Sequence, residues 1–235
     1  MQLPNDTCQY GIRTRFGRYV ARRLTCAQCL DLAQECDAAT RALREAGRAE
    51  EDTEDAVQEA LAWRDAADDV LDTVAKETRH ELAARGLKAA REAPYTQVFH
   101  AGVEYYTEAP QAEQAPRYEE LKARLVEHLD ASDPVRAKAI ARLDDGLATY
   151  ADAARSLDAA RTAQRMAGTR LEAATTAWNQ VLVRAYGTLI ARFGKPEAER
   201  YFPRVQKSRA RKKSDGQQPT DPKSADAKKP LRSVA

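Results

Sequence analysis

DPVRAKAIARLDDGLATYADAARSLDAARTAQRMAGTRLEAATTAWNQVLVRAYGTLIARFG, residues 133–194, decides the fold. Asp133 is a favoured N-cap, because its carboxylate accepts from a free backbone N–H, and Pro134 at the first helical position loses no donor. Leu143, Tyr150, Leu157, Leu171, Trp178 and Ala185 then recur at heptad spacing. Leu147, Ala154, Ala174 and Val181 run beside them. Such paired rows make a narrow apolar seam of the coiled-coil type. No proline interrupts 135–195, and Gly194 with Pro196 supplies the stop. About sixty residues at 1.5 Å each give a helix of roughly 90 Å, which cannot bury its own seam.

The partner helix is expected over about 25–85. Thr25 and Gln28 fit a capping box, and Gly86 marks the end. Cys29, Cys36, Leu43, Val57 and Leu71 form its seam, flanked by Leu32, Ala39, Ala46, Ala60, Ala67 and Val74. Gly47 is a candidate break, although one glycine costs only about 1 kcal/mol in a helix. An antiparallel pairing fixed by the helix ends sets Arg85 opposite Asp133, so facing positions sum to about 218. It also brings Glu50 and Thr53 to the level of Arg165 and Gly168, where both seams turn polar, which predicts a wet or bent middle with a Glu–Arg contact, since lone buried charge is costly. Similar endings, Glu81–Gly86 and Thr188–Gly194, leave a duplication open beside an unrelated pair.

The expected fold is therefore all-α: an elongated, coiled-coil-like hairpin of two long antiparallel helices (25–85 and 133–193). Residues 87–132 are too long for a turn. They carry Tyr95, Phe99, Tyr105, Tyr106 and Tyr118, with an extended piece expected at 103–107 and a helix at 117–129, and read as a small helical and aromatic cap. Tyr201 and Phe202 are expected to pack back on the stem. Residues 1–24 read as a basic arm whose second half has helical spacing, and 206–235 as a disordered basic tail.

Charge is divided along the chain. Residues 1–24 carry +4 and residues 206–235 carry +6, which leaves −8 for 25–205 out of a total of +2. The candidate polyanion-binding residues are Arg13, Arg15, Arg18, Arg22 and Arg23 in the arm and Lys207, Arg209, Arg211, Lys212 and Lys213 in the tail. Clustered Lys and Arg displace counterions from phosphates without reading sequence.

Other chemistry finds little footing. Cys26, Cys29 and Cys36 fall within one helical pattern and read as small core residues, against a zinc or redox site joined by Cys8. His80-Glu81 lacks the second histidine of a zincin, and Glu77-x-x-His80 is half of a di-iron motif whose other half is missing; Gln97-x-x-His100 is the nearest item, and His128 stands apart. No phosphate loop, nucleophile elbow or dinucleotide fingerprint occurs, so neither enzyme nor cofactor is expected. No apolar run reaches membrane-spanning length, and the first twenty residues lack the apolar core of a signal peptide. The expectation is a soluble cytoplasmic protein.

Ala93–Phe99 and Ala191–Pro203, each following a long helix, resemble a loose group of uncharacterised bacterial proteins built on two Ala/Arg/Glu-rich helices. The resemblance spans 25–205 and implies the hairpin, with no activity, cofactor or partner. From the residues themselves, an Ala-rich two-helix seam buries too little to offset its ordering cost, so self-association or a protein partner is expected. The leading functional expectation is a non-enzymatic scaffold or assembly protein. The alternative is a nucleic-acid-associated protein using its basic termini, and a metal or redox bundle comes third.

Overall fold

A computed structural model describes residues 1–5 and 8–203; the expected tail and its five basic candidates lie outside them. In order the helices are α1 (Tyr10–Cys26), α2 (Leu30–Ala83), the short turns α3 (Tyr95–Val98) and α4 (Glu104–Thr107), then α5 (Gln114–His128), α6 (Pro134–Phe193) and α7 (Lys195–Ala198). Single 3₁₀ turns lie at Ala89–Arg91 and Glu199–Tyr201.

The hairpin and its register are as the sequence predicts. Asp133 caps α6 by accepting from the Val135 N–H at 2.9 Å, and Arg85 reaches the same carboxylate at 2.7 Å. Lys138 to Glu81, Arg142 to Glu77, Trp178 to Thr40 and Arg184 to Glu35 follow down the stem. Every pair sums to about 218, so the helices run the whole stem without a slip. Leu143, Tyr150, Leu157, Trp178 and Ala185 are all buried, as are Cys36, Leu43 and Leu71 across from them. Leu171 and Val57 of the same rows are half-buried.

Two readings of helix ends change. The capping box at Thr25 does not form: its hydroxyl bonds back to Ala21 O at 2.9 Å inside α1. The chain reverses at 27–29, with Gln28 in the left-handed region (φ 57°), Cys29 N–H on Leu24 O at 3.0 Å and Gln28 N–H on Thr25 O at 3.1 Å. That is a Schellman ending with glutamine where glycine is usual, so the sequence carries no punctuation there. Beyond Gly86, the cap differs at 103–107, which turns helical as α4 rather than extended. α2 itself ends at Ala83, where Ala84 N–H bonds His80 O.

Gly47 does not break α2. A Cβ there would lie 2.5 Å from the Tyr10 ring, so the glycine admits the start of α1. α1 buries Phe16, Val20 and Leu24 on α2 and α6, and Gly17 sits directly over Thr40 and Trp178. Phe202 closes this end, 6.4 Å from Phe16 and 5.4 Å from Tyr186 between ring centres. At the opposite end Tyr118, Leu121 and Leu125 of α5 pack with Val98, Phe99 and Tyr106 against Leu71, Val74 and Leu143. Between these two cores the stem is two helices thick, with Ala60, Leu157 and Ala167 as its buried apolar residues.

The expected polar middle is present, but the Glu50–Arg165 contact is not made. Arg165 donates to Thr162 Oγ1 at 3.0 Å, and Glu50 lies beside Glu54 and Glu51. An open two-helix waist lets each charge turn to water instead of pairing.

Candidate functional site: the uncovered face of the stem

Thr40 and Gly47, where α1 packs, share one heptad row of α2 with Asp68, where Gln114 of α5 bonds. Both third layers therefore lie on the same face of the hairpin. Among the described residues nothing packs on the other face. On α2 it carries Ala42, Ala49, Ala56, Trp63 and Val70, again one residue per heptad and all exposed. On α6 the matching row is Thr149, Ser156, Ala163, Arg170 and Ala177, likewise exposed.

Both rows end in the same way. One heptad before Ala42 and one after Val70 stand Glu35 and Glu77; the α6 row is bracketed by Arg142 and Arg184. Glu35 pairs with Arg184 at 3.0 Å, and Glu77 pairs with Arg142, whose hydrogen bond holds the Glu77 carboxyl below its usual range. Between these two ion pairs the rows contain one charge, Arg170, in a chain that is 31% Asp, Glu, Lys and Arg. Trp63 is 66% exposed and Met166 53%. Beside Trp63 lies a shallow groove of about 440 Å³ lined by Ala56, Glu59 and Ala60 of α2 and by Thr149, Asp152, Ala153, Ser156 and Ala160 of α6. Large aromatics dominate the energetics of interfaces, which makes the exposed Trp63 the candidate anchor of this face.

The basic candidates of the first helix divide. Arg13 is 2% exposed. It donates to Asn179 Oδ1 at 3.2 Å and to Asn5 O at 3.0 Å, and lies 6.0 Å from the Trp178 ring centre. It ties the N-terminal residues to α6. Arg15, Arg18, Arg22 and Arg23 are exposed on the outer side of α1 with Tyr19. Arg18 and Arg22 border a groove of about 400 Å³ shared with Asp37 of α2, and Arg23 donates to Arg200 O at 3.3 Å.

The cysteines do not share one helix. Cys26 ends α1 and is exposed, Cys29 precedes α2 and Cys36 lies within it, both buried; Cys8 is half-buried. Burial pushes the Cys36 thiol up to about 11, which keeps it protonated. His80 and His100 are exposed, His128 is half-buried, and Glu77 is engaged by Arg142. Among the described residues no three His, Cys, Asp or Glu side chains converge as a metal site would need.

A larger cleft of about 880 Å³ opens where α1 begins, walled by Tyr10, Arg13, Glu50, Glu51, Glu54, Glu172 and Asn179. Tyr10 donates to Glu51 at 2.7 Å. Partial burial, with Glu54 and Glu51 adding to it, raises the Glu50 carboxyl. Cys8, Thr175 and Thr176 also line the cleft.

The bare row was legible in the sequence as a second set of heptads on α2, offset from the seam. Its alanines hid it, since alanine fills a helix on propensity alone. Among the described residues no helix is long and apolar enough to cross a membrane. No protein-family model, no curated protein and no solved structure matches this chain.

Proposed function

We propose that this protein is a non-enzymatic scaffold or assembly subunit that works by helix-to-helix contact along its stem. The observation that carries the reading is the uncovered face: two six-heptad rows with one internal charge, closed at both ends by ion pairs, with Glu59 and Asp152 in the groove between them. A solvated helix face normally intersperses charges, so two rows of this length with a single charge support a surface that meets protein. Free cysteines fit a reducing compartment, so we place it in the cytoplasm. The experiment is site-specific photo-crosslinking in cells, with a benzophenone side chain at Ala49. Capture of a protein, whether this chain or another, is expected; the absence of any adduct at Ala49, Ala56 and Ala163 would overturn the reading.

Polyanion binding is the second reading, favoured by Arg15, Arg18 and Arg22 sharing one exposed side of α1 with Tyr19. The tail residues Lys207, Arg209, Arg211, Lys212 and Lys213 would add to it. Fluorescence anisotropy with a short DNA duplex separates the two. Polyanion binding falls steeply from 50 to 200 mM salt and collapses when residues 206–235 are removed. Assembly through the stem survives both changes.

A further inference from the structure

We infer that the uncovered face seats a second copy of this chain, related by a two-fold axis that runs along the stem. This rests on the reading of the stem as an assembly surface and names its occupant.

The first argument is self-complementarity. A two-fold contact uses the same patch twice, so that patch must hold both a protrusion and a place to receive it. Trp63 stands out from the face, and the trough bordered by Ala153, Ser156 and Ala160 lies beside it on α6. A partner of another kind would need one of these features, whereas a twin needs both.

The second argument is size. Six heptads at 1.5 Å per residue run about 60 Å, and two helices with axes 8–10 Å apart present a face roughly 20 Å wide. That footprint, on the order of 1,200 Å², exceeds the roughly 800 Å² per partner of a standard stable interface.

Charge and register then select the orientation. With the axis along the stem, α2 of each copy lies over α6 of the other at the same level. Each copy already pairs α2 with α6 at that level, so symmetry leaves no freedom to slide. Ala56 meets Ala163 of the second copy and Trp63 meets Ser156 of the second copy. All four neighbouring helices run antiparallel, as in an up-and-down four-helix bundle. With the axis across the stem instead, α2 would meet α2 and bring the acidic flank of its row, Glu45, Asp52 and Glu59, against the same flank of the second copy. Like charges placed together are penalised, and the first arrangement avoids them.

The test is sedimentation equilibrium of the full chain from 1 to 100 µM, at low and high salt. The expected result is twice the 26.1 kDa chain mass, kept at high salt where polyanion binding is lost. Trp63→Glu should weaken association on the order of 30-fold or more, as loss of a central aromatic anchor does. Tyr19→Glu, on the outer side of α1, should leave it unchanged. Orientation is read by disulfide trapping in a Cys8→Ser, Cys26→Ser background. Ala56→Cys protein mixed with Ala163→Cys protein should cross-link, and neither should cross-link alone.

A monomer at 100 µM, a dimer indifferent to Trp63→Glu, or self-cross-linking of Ala56→Cys alone overturns the inference. A monomer that still photo-crosslinks to a different protein at Ala49 removes the second copy and leaves the assembly reading standing. A monomer with no adduct removes both.

Discussion

The two ends of the stem reach the same thickness by different chemistry. At the α1 end a backbone comes close: Gly17 rests on Thr40 and Trp178, Gly47 admits Tyr10, and Trp178 Nε1 donates to Thr40 Oγ1 at 3.1 Å. At the cap end hydroxyls and amides reach acids on the stem. Tyr118 donates to Asp72 at 2.6 Å, Tyr150 to Gln114 Oε1 at 3.1 Å, and Gln114 to Asp68. One end relies on the absence of side chains and the other on their satisfaction. The lesson is that one hairpin row can take a third helix either by making room or by supplying polar partners.

The largest expected effect follows from removing the room. A Cβ at Gly17 would already lie 2.7 Å from Trp178 Nε1. Gly17→Leu should lift α1 from the stem and cost about 3 kcal/mol or more, as overpacking a filled core does. For a chain of this size that lowers Tm by roughly 10 °C. In a Trp63→Phe background the emission of Trp178, now wetted, should shift to the red. Unchanged emission would mean that α1 does not need the close approach.

Next comes the polar end. Tyr118→Phe keeps the ring and leaves Asp72 with Lys76, which bonds it at 2.9 Å. The expected loss is about 1–2 kcal/mol. It should be confined to the cap, so amide exchange should quicken over Gln114–His128 and not over Tyr10–Cys26. Equal quickening at both ends would show one cooperative unit and erase the comparison.

How legible was all this in the sequence? The hairpin and its register were, because Asp133-Pro134 and the heptads from Leu143 to Ala185 state them in residue types whose physics is unambiguous. Tyr118, Leu121 and Leu125 likewise announced a packed cap helix. The turn between α1 and α2 was not legible, because Gln28 occupies a left-handed position that glycine normally marks. Without that turn, Phe16, Val20 and Leu24 read as an extension of an arm rather than as a third layer. The Glu50–Arg165 contact was expected from level alone, and level does not fix which way two side chains turn when water is open on both flanks. Of the site, the arginines of α1 were visible as a cluster, but the burial of Arg13 depends on Asn179, far away in sequence.

Acidity divides the cap end itself more gently. Burial raises the Asp68 carboxyl; Gln114 opposes this, and Asp72, Asp69 and Asp65 add to it. A carboxyl with a raised folded pKa binds its proton better in the folded state. Its stabilising contribution is therefore complete at low pH and is lost as pH climbs through the folded value. Asp133 goes the other way: burial pulls it up, but Arg85 and the Val135 N–H hold it below its usual range. Its contribution is complete above the ordinary carboxylate range and is lost as pH falls through the folded value. Asp68→Asn keeps an acceptor for Gln114 and removes the charge. It should raise Tm at pH 7, and that gain should shrink as pH falls toward 4. A gain equal at both pH values would place the effect in packing rather than in charge.

The smallest effect tests the face that neither end covers. Glu35 and Arg184 meet at 3.0 Å with both side chains at least half exposed. Exposed pairs contribute about 1 kcal/mol or less and are screened by salt. Glu35→Gln should therefore shift Tm by no more than about 3 °C at low ionic strength and by nothing measurable in 1 M salt. The pair's larger role is positional, since it stands where the uncharged rows stop. If Glu35→Gln leaves both stability and assembly untouched while Trp63→Glu abolishes assembly, the ion pair only marks the border of the surface. If Glu35→Gln instead changes the mass of the assembly, the border is part of the contact, and the surface extends past the six heptads that the rows define.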